Sequence, residues 1–239
     1  MKHNWLVRPS QLGGLMSKGR GKDFGDTAMK MIQESALFHK YGIEPKQITS
    51  KQMEKGTLNE REGMQLAKDV FGWDIDIDAP KVRLFNDFMT GEPDINQSIL
   101  GDIKCSYSAH TFPWLDTDVK NKAYTYQMQS YLWLTNHQQC ELVYCLTNTP
   151  DHIIQDEIQR KVYQLLKQPI YIAMDMDVAF THAEAQAEKQ VHNDSIFDKI
   201  PKEKRVKRFI IERDETIIWE IQERITKARE IFDQVFEAI

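Results

Sequence analysis

The sequence predicts an α/β or α+β fold in which helices flank both sides of a mixed β-sheet core. Apolar residues recur at helical spacing in three long segments, 27–41, 57–70 and 215–239. Shorter apolar segments bounded by turn residues predict strands at 82–88, 89–95, 99–106 and 141–146. The chain of 239 residues is long enough to bury a substantial core around such a sheet.

The length and composition fit one large domain, or one domain with an appended lobe. We predict a single domain over 1–239, with a core at about 55–150, an N-terminal helical part and a C-terminal strand–helix extension. The sequence contains no apolar run of membrane-span length and no apolar signal-peptide core at its start, so a cytoplasmic location without membrane contact is expected.

The net charge and the cysteines narrow the functional classes. A net charge of −5 argues against a protein that merely coats DNA, because phosphate contacts usually require a basic surface. The three cysteines, Cys105, Cys140 and Cys145, are predicted to be reduced and buried, and they are too few to bind a four-cysteine iron–sulfur cluster.

The first half of the chain is predicted to alternate helices with polar connections. Pro9 fits the first turn of a short helix, and the glycine-rich, charged segment 17–26 predicts a mobile loop. The helix at 27–41 ends before Gly42, and a polar connector at 46–54 precedes the next helix. The alternating acids of 74–78 predict an exposed strand or turn.

The second half is predicted to contain further helices at 120–135, 156–168 and 171–191, followed by a strand at 209–211. Two segments have open interpretations. The aromatic loop 110–118 either stacks on a base or a duplex end, or packs on the domain or a neighbouring subunit. The basic run 202–208 is either a solvated strand edge or a contact to a DNA backbone.

Two carboxylates and one lysine are predicted to meet at one edge of the sheet. Gly91-Glu92-Pro93-Asp94 ends one strand, and Gly101-Asp102-Ile103-Lys104-Cys105 forms the next. Side chains alternate along a strand, so Asp102 and Lys104 share one face and Ile103 points to the other. Carboxylates suit Mg²⁺ or Mn²⁺, which generates hydroxide and neutralises phosphate charge, and the lysine can hold the water or the phosphate.

Such short motifs need context, and two further segments supply it. The block Lys55-Gly56-Thr57-Leu58-Asn59-Glu60 opens a helical stretch before Asp94. Gln127 and Tyr131 stand four residues apart on the helix after Lys104 and therefore share a face. With these blocks, and with Ile211-Glu212-Arg213-Asp214-Glu215, the chain resembles the PD-(D/E)xK nuclease superfamily, and within it the phage lambda exonuclease and YqaJ-type recombination nucleases.

The resemblance implies a restriction-endonuclease-like fold and a metal-dependent DNA exonuclease of phage or prophage origin. Such an enzyme resects linear double-stranded DNA from the 5′ end and leaves a 3′ single strand for a single-strand annealing recombinase. It uses one or two Mg²⁺ or Mn²⁺ ions per site. The resemblance also implies a homo-oligomer, a trimeric ring that encloses the DNA.

The same resemblance assigns roles to individual residues. Glu60, Asp94 and Asp102, together with the Ile103 carbonyl, would hold the metal ions, and Lys104 would position and activate the attacking water. For Glu60, the alternative is a glutamate favoured by the dipole in the first turn of its helix.

Four further residues are candidates for substrate binding. Gln127 and Ser10 would hold phosphate, although Ser10 can equally be an ordinary helix-end residue. Tyr131 is a candidate contact that can instead pack in the core. Arg20, in the charged loop, can meet a phosphate backbone or remain a solvated surface charge.

The sequence departs from the family pattern at three points. Asp102 stands where the closest relatives have glutamate. Glu92 stands where lambda-type enzymes have a small polar residue, and a carboxylate there would repel a terminal phosphate. A further acidic position has no clear match, since Asp87 is out of register. The alternatives to an exonuclease are an endonuclease or a single-strand or RNA nuclease of the same fold, and a catalytically inactive DNA-binding scaffold.

Overall fold

The computed structural model describes residues 5–46 and 49–239. Its helices are α1 (Leu12–Leu15), α2 (Asp26–Tyr41), α3 (Lys51–Phe71), α4 (Lys122–Thr135), α5 (Asp151–Leu165), α6 (Pro169–Ile172), α7 (Met176–Ser195) and α8 (Glu215–Ala238). Its strands are β1 (Leu84–Phe85), β2 (Thr90–Gly91), β3 (Ile95–Asn96), β4 (Leu100–Cys105), β5 (Gln139–Cys145) and β6 (Val206–Glu212). Short 3₁₀ helices span Pro9–Gln11, Ala109–Thr111 and Lys202–Lys204.

The central sheet is mixed and has the strand order β3-β4-β5-β6. β4 and β5 run parallel, and α4 connects them, because parallel neighbours need a crossover. β3 pairs antiparallel with the start of β4, and β6 pairs antiparallel with β5. β3 pairs only as far as Gly101, so the rest of β4 leaves an open edge beside Asp102, Ile103 and Lys104.

Helices cover both faces of this sheet, as the sequence predicts. On one face, Met64 and Ala67 of α3 pack against Ile103 and Val143. On the other face, α4 packs its apolar side onto Leu100, Leu142 and Phe209, with Met128 and Leu132 in the contact. The alternation along β4 therefore places Ile103 under α3 and its neighbours Asp102 and Lys104 under α4. The predicted mixed α/β architecture is confirmed.

The C-terminal helix α8 anchors the N-terminal segment. Arg229 donates hydrogen bonds to the Trp5 carbonyl oxygen at 2.7 and 3.0 Å. Arg224 donates to the carbonyl oxygens of Leu15, Ser17 and Asp23 at 2.5 to 2.8 Å. Both guanidinium groups are buried, and they use several donors each, as a buried arginine requires. The charged loop 17–26 is therefore tied to α8 at both ends.

Helices α5, α6 and α7 form a lobe with an apolar core of its own, which includes Ile154, Val162, Ala183 and Val191. The predicted helix at 156–168 begins earlier, at Asp151. The predicted helix at 171–191 is divided, because Asp175 caps the start of α7 through its side chain.

Several predicted boundaries were wrong. The connector predicted at 46–54 turns helical at Lys51, because the Ser50 hydroxyl accepts a hydrogen bond from the Met53 N–H and caps α3. Glu60 consequently lies in the middle of α3 rather than in a first turn. The strands predicted at 82–88 and 89–95 are reduced to the two-residue pieces β1, β2 and β3. Residues 1–4, used in predicting the location, and residues 47 and 48 of the connector lie outside the described residues.

None of the helices among the described residues combines the length and the apolar character that crossing a membrane requires. The three cysteines are free thiols, as predicted; Cys140 and Cys145 are buried, but Cys105 is only partly buried, contrary to the prediction.

Candidate active site

A cleft of about 640 Å³ opens at the unpaired edge of β4. Every site residue predicted from the sequence lines it except Arg20: Ser10, Glu60, Asp94, Asp102, Ile103, Lys104, Gln127 and Tyr131. These residues come from the N-terminal segment, α3, the turn before β3, β4 and α4, so tertiary folding brings together positions that are distant in sequence.

Asp102 is the most buried acid of the cleft, with an exposed fraction of 2%. Its Oδ1 accepts a hydrogen bond from Gln127 Nε2 at 3.0 Å, and its Oδ2 lies 2.6 Å from Lys104 Nζ. Burial, reinforced by the nearby Asp94 carboxylate, raises the pKa of Asp102, although Lys104 opposes the shift. The Asp102 and Asp94 carboxylates therefore repel each other, and a bound cation would reduce that repulsion.

Asp94 is fixed against the open edge of β4. Its Oδ2 accepts a hydrogen bond from the Ile103 N–H at 2.8 Å, and the carboxylate takes the place of the missing strand neighbour. In an extended strand the N–H and C=O of one residue point to the same side, so the Ile103 carbonyl faces the cleft with Asp94. The carbonyl is thereby available as a hard oxygen ligand beside the carboxylates.

Glu60 reaches the cleft because α3 lies unusually close to β4. A Cβ added at Gly63 would lie 2.8 Å from Cys105 Sγ and 3.0 Å from Ile103 Cγ2, so any larger residue would push the helix away. Gly91 plays a similar role for the N-terminal segment, since a Cβ there would lie 2.7 Å from Pro9 Cγ. Both glycines are needed for close approach and not for a special backbone angle.

Lys81 is the residue that the sequence analysis missed. Its Nζ lies 2.6 Å from Glu60 Oε1 and 2.7 Å from Asp94 Oδ1, between two of the predicted metal ligands. Burial works against its charge, but Asp94 and Glu60 outweigh that effect and raise the pKa of Lys81. A signal was present in the alternation Lys81-Val82-Arg83 just before a strand, because it directs two cations to the same side of an extended segment.

Lys104 is held as a cation by its surroundings. Burial alone would lower its pKa, but the Asp102 and Asp94 carboxylates outweigh it, and the pKa of Lys104 is raised. Its Nζ also lies 5.1 Å from the centroid of the Tyr124 ring, an arrangement that favours the charged form. The ammonium can therefore bind an anionic oxygen or a water, but it is poorly suited to remove a proton.

Gln127 and Tyr131 form a chain of hydrogen bonds from Asp102 to the turn that carries Glu92. Gln127 Nε2 also lies 3.3 Å from the Tyr131 hydroxyl oxygen, and that hydroxyl donates to the Glu92 carbonyl oxygen at 3.2 Å. The side chain of Glu92 pairs with Arg83 at 2.8 Å. Arg83 thus offsets the carboxylate that, from the sequence, was expected to repel a terminal phosphate.

Ser10 and Arg20 have different outcomes. Ser10 lies in the 3₁₀ helix Pro9–Gln11 and its exposed side chain borders the cleft. Arg20 lines a separate depression with Ser17, Lys18 and Lys22, so the structure does not bring it to the other site residues. A direct contact of Arg20 with substrate remains a prediction that the cleft itself does not support.

The two segments with open interpretations are partly resolved. Phe112 is buried, whereas Trp114 is half-exposed and its indole N–H donates to the Ala109 carbonyl oxygen at 2.7 Å. In the basic run, Arg205 is buried while Lys202 and Lys204 are exposed. The loop therefore packs on the domain through Phe112, whereas a DNA contact of the exposed Trp114 or of the exposed lysines in the run stays a prediction.

The donor set fits a hard divalent cation, but the side chains must rearrange to hold one. Asp102 Oδ2 is buried and, among the described residues, receives no hydrogen bond, because the Lys104 contact has the geometry of an ion pair only. Three carboxylates and one carbonyl oxygen are ligands that Mg²⁺ accepts. In the described part of the chain, however, no three acidic, histidine or cysteine side chains stand close enough to hold a metal.

Solved structures of exonucleases share this fold. The crystal structure of a phage-related exonuclease from Haemophilus somnus 129PT is 25% identical to this chain and superposes with a TM-score of 0.71, over 99% of this chain and 97% of the other. The alkaline exonuclease LHK-Exo from Laribacter hongkongensis is 16% identical, with a TM-score of 0.63 over 98% and 90% of the two chains. LHK-Exo in complex with dAMP gives a TM-score of 0.58 at 17% identity, again over 98% and 90%.

The resemblance predicted from the sequence is confirmed by these structures: the chain has the fold of phage-related and alkaline exonucleases over nearly its whole length. No family model and no curated protein sequence matches the chain.

Proposed function

We propose that this protein is a Mg²⁺-dependent exonuclease that hydrolyses the phosphodiester bonds of linear double-stranded DNA. The observation that carries the proposal is the convergence of Asp94, Asp102 and Lys104 with Glu60 in one cleft. The likeness to a phage-related exonuclease over nearly the full length of both chains supports it.

The residues of the cleft divide the chemistry between them. Glu60, Asp94, Asp102 and the Ile103 carbonyl would hold the metal, which when bound supplies a water of lowered pKa and neutralises phosphate charge. Lys104, kept protonated by Asp102, binds an oxygen of the scissile phosphate or orients the attacking water.

Two further side chains contribute to the cleft, one by holding a carboxylate and one by facing the substrate. Gln127 holds the Asp102 carboxylate through Oδ1, which leaves Oδ2 turned toward Lys104. Ser10 brings a hydroxyl to the edge of the cleft, where a terminal phosphate would be bound.

The proposal extends to the origin, the location, the assembly and the direction of digestion of the enzyme. The enzyme would be phage- or prophage-encoded, would work in the cytoplasm as a trimeric ring, and would digest from the 5′ end. Its product, a 3′ single strand, would be the substrate of a single-strand annealing recombinase. The ion pair between Arg83 and Glu92 cancels the carboxylate charge that would otherwise repel a 5′-phosphate.

The test is digestion of three substrates in parallel: end-labelled linear duplex DNA, closed circular DNA and RNA, each with Mg²⁺ and with EDTA. We expect Mg²⁺-dependent loss of the linear duplex only, with a label at a 5′ end released before a label at a 3′ end. Cleavage of the closed circle would identify an endonuclease, and no cleavage of any substrate would identify a scaffold.

A pair of variants ties the activity to the cleft. Lys104→Ala should lower the rate by about 10² to 10⁴ while the fold is retained, because the ammonium acts on the reacting phosphate. Lys189→Ala, on an exposed position of α7, is the matched control and should digest at the unmodified rate. Full activity of Lys104→Ala would refute the proposed mechanism.

A further inference from the structure

Lys81 occupies the position that a cation would take between Glu60 and Asp94. Its ammonium contacts one oxygen of each carboxylate, at 2.6 and 2.7 Å, and its side chain is about one-third exposed, at 35%. It lies in an irregular extended segment that joins the acidic turn at 74–78 to β1, outside the sheet and outside any helix. The backbone that carries the Lys81 side chain is therefore not held by a helix or a strand.

The charges of the cleft explain why a lysine is stable there. Glu60, Asp94 and Asp102 line the same cleft, and among the described residues Lys104 forms its ion pair with Asp102. Without a second cation the other two carboxylates would repel each other and the buried aspartate. Lys81 supplies that cation from within the chain.

A divalent metal and the Lys81 ammonium cannot share this position. Mg²⁺ binds carboxylate oxygens at about 2.0 to 2.1 Å and requires a near-octahedral arrangement of ligands. Glu60 Oε1 and Asp94 Oδ1 are the oxygens that Lys81 now holds. Because the ammonium stands between them, metal binding to both carboxylates requires that it leave.

Lysine is well suited to leave and to act again nearby. Its ammonium is a compact charge on four flexible methylenes, so it can move several ångströms without a change in the backbone. Once displaced from the carboxylates it remains at the mouth of the cleft, and a DNA phosphate is the anion that can replace them.

We propose that Lys81 is a phosphate-binding residue of this cleft that rests on Glu60 and Asp94 until a divalent metal displaces it. The metal thereby both completes the site and releases a cation for the substrate. Both the competition with metal and the phosphate contact rest on the proposed function, which supplies the metal and the DNA.

The first arm of the test measures metal binding without DNA. In calorimetric titrations with Mg²⁺, Lys81→Met should bind about tenfold more tightly than the unmodified protein, because a competing charge has been removed. In EDTA the same variant should melt at a lower temperature, and saturating Mg²⁺ should remove that difference. Lys81→Gln, which keeps a hydrogen-bond donor, provides a second variant if Lys81→Met folds poorly.

Lys51 offers a matched control. It also lies between two carboxylates, those of Asp156 and Glu157 at 3.5 and 3.2 Å, and its exposed fraction of 31% is close to that of Lys81. Lys51 does not line the cleft and its two carboxylate partners are not proposed metal ligands, so Lys51→Met should leave the Mg²⁺ affinity unchanged. A purely structural role of Lys81 would give both variants the same Mg²⁺ affinity and would overturn the inference.

The second arm measures DNA binding with Mg²⁺ present, using short duplexes whose terminal linkages are phosphorothioates that resist hydrolysis. Lys81→Met should bind several-fold more weakly, and the slope of log K against log salt should fall by about 0.9, the value for one phosphate contact. An unchanged slope would overturn the phosphate contact. If the unmodified protein, Lys81→Met and Lys51→Met all fail to bind Mg²⁺, the proposed metal-dependent function itself is wrong.

Discussion

A buried lysine beside the cleft should make the free energy of unfolding of this protein increase as the pH rises from 7 to 10. Lys55 of α3 is fully buried, and its Nζ donates to the Tyr107 carbonyl oxygen at 3.0 Å. Its ammonium also lies 5.2 Å from the centroid of the Phe197 ring. Burial is the main cause that lowers the pKa of Lys55 to about 8, while Cys105 and Glu62 act in the opposite direction.

The size and sign of the effect follow from this pKa. An unfolded lysine titrates near 10.4, so between pH 8 and pH 10 the unfolded chain binds more protons than the folded one. The free energy of unfolding therefore gains about 2.5 kcal/mol from Lys55 between pH 7 and pH 10. The cysteines act with the opposite sign above pH 9, because burial raises the pKa of Cys105 and of Cys140 to about 12.

The assay isolates Lys55 from those other groups. Urea unfolding of the unmodified protein and of Lys55→Met is followed at pH 7, 8, 9 and 10, and the difference in unfolding free energy is plotted against pH. We expect this difference to change by about 2.5 kcal/mol in favour of the unmodified protein. Lys189→Met, on the exposed face of α7, reports the effect of losing a surface charge. Parallel curves for Lys55→Met and the unmodified protein would refute the reasoning.

Four further predictions concern the cleft and the assembly. Glu60→Gln should raise the Mg²⁺ concentration for half-maximal digestion about tenfold, because one ligand is lost, whereas Glu62→Gln should stay close to unmodified; equal effects would mean that Glu60 does not reach the metal. Gly63→Ala should destabilise the fold by about 1 to 3 kcal/mol in urea unfolding, since the added Cβ overlaps β4, and an unchanged midpoint would contradict the close approach. Glu92→Ser should increase the preference for a 5′-phosphate over a 5′-hydroxyl on duplexes blocked at one end, because Arg83 is then unpaired; an unchanged ratio would place Glu92 outside the pocket. Light scattering should give the mass of a trimer, and a monomer at micromolar concentration, with and without DNA, would rule the ring out.

Two pairs of site residues could be anticipated because each pair is local in sequence. The alternation along β4 is enough to put Asp102 and Lys104 on one face, and their contact at 2.6 Å agrees with it. Likewise, the helical spacing of Gln127 and Tyr131 correctly predicts that both point into the same cleft.

The boundaries of helices and strands were predicted wrongly where a single cap or a strand partner determines them. The start of α3 depends on one capping serine in a polar stretch, which composition alone suggests is a connector. The strands predicted at 82–88 and 89–95 have adequate β propensity, but they pair with each other through only two residues on each side. Propensity is a weak guide when the partner strand is short.

We could infer from the sequence alone the alternation of helices and strands, the placement of Asp102 and Lys104 on one strand face, and the resemblance to phage-related exonucleases. These features depend on periodicities of two and 3.6 residues and on short motifs, which are visible without knowledge of the fold. Three features became visible in the folded chain and not before: Lys81 lies between Glu60 and Asp94, Arg83 pairs with Glu92, and Arg20 stays away from the cleft. A charge on a long, flexible side chain is positioned by whichever opposite charge the fold brings within reach. Because that partner is distant in sequence, no local pattern predicts the contact.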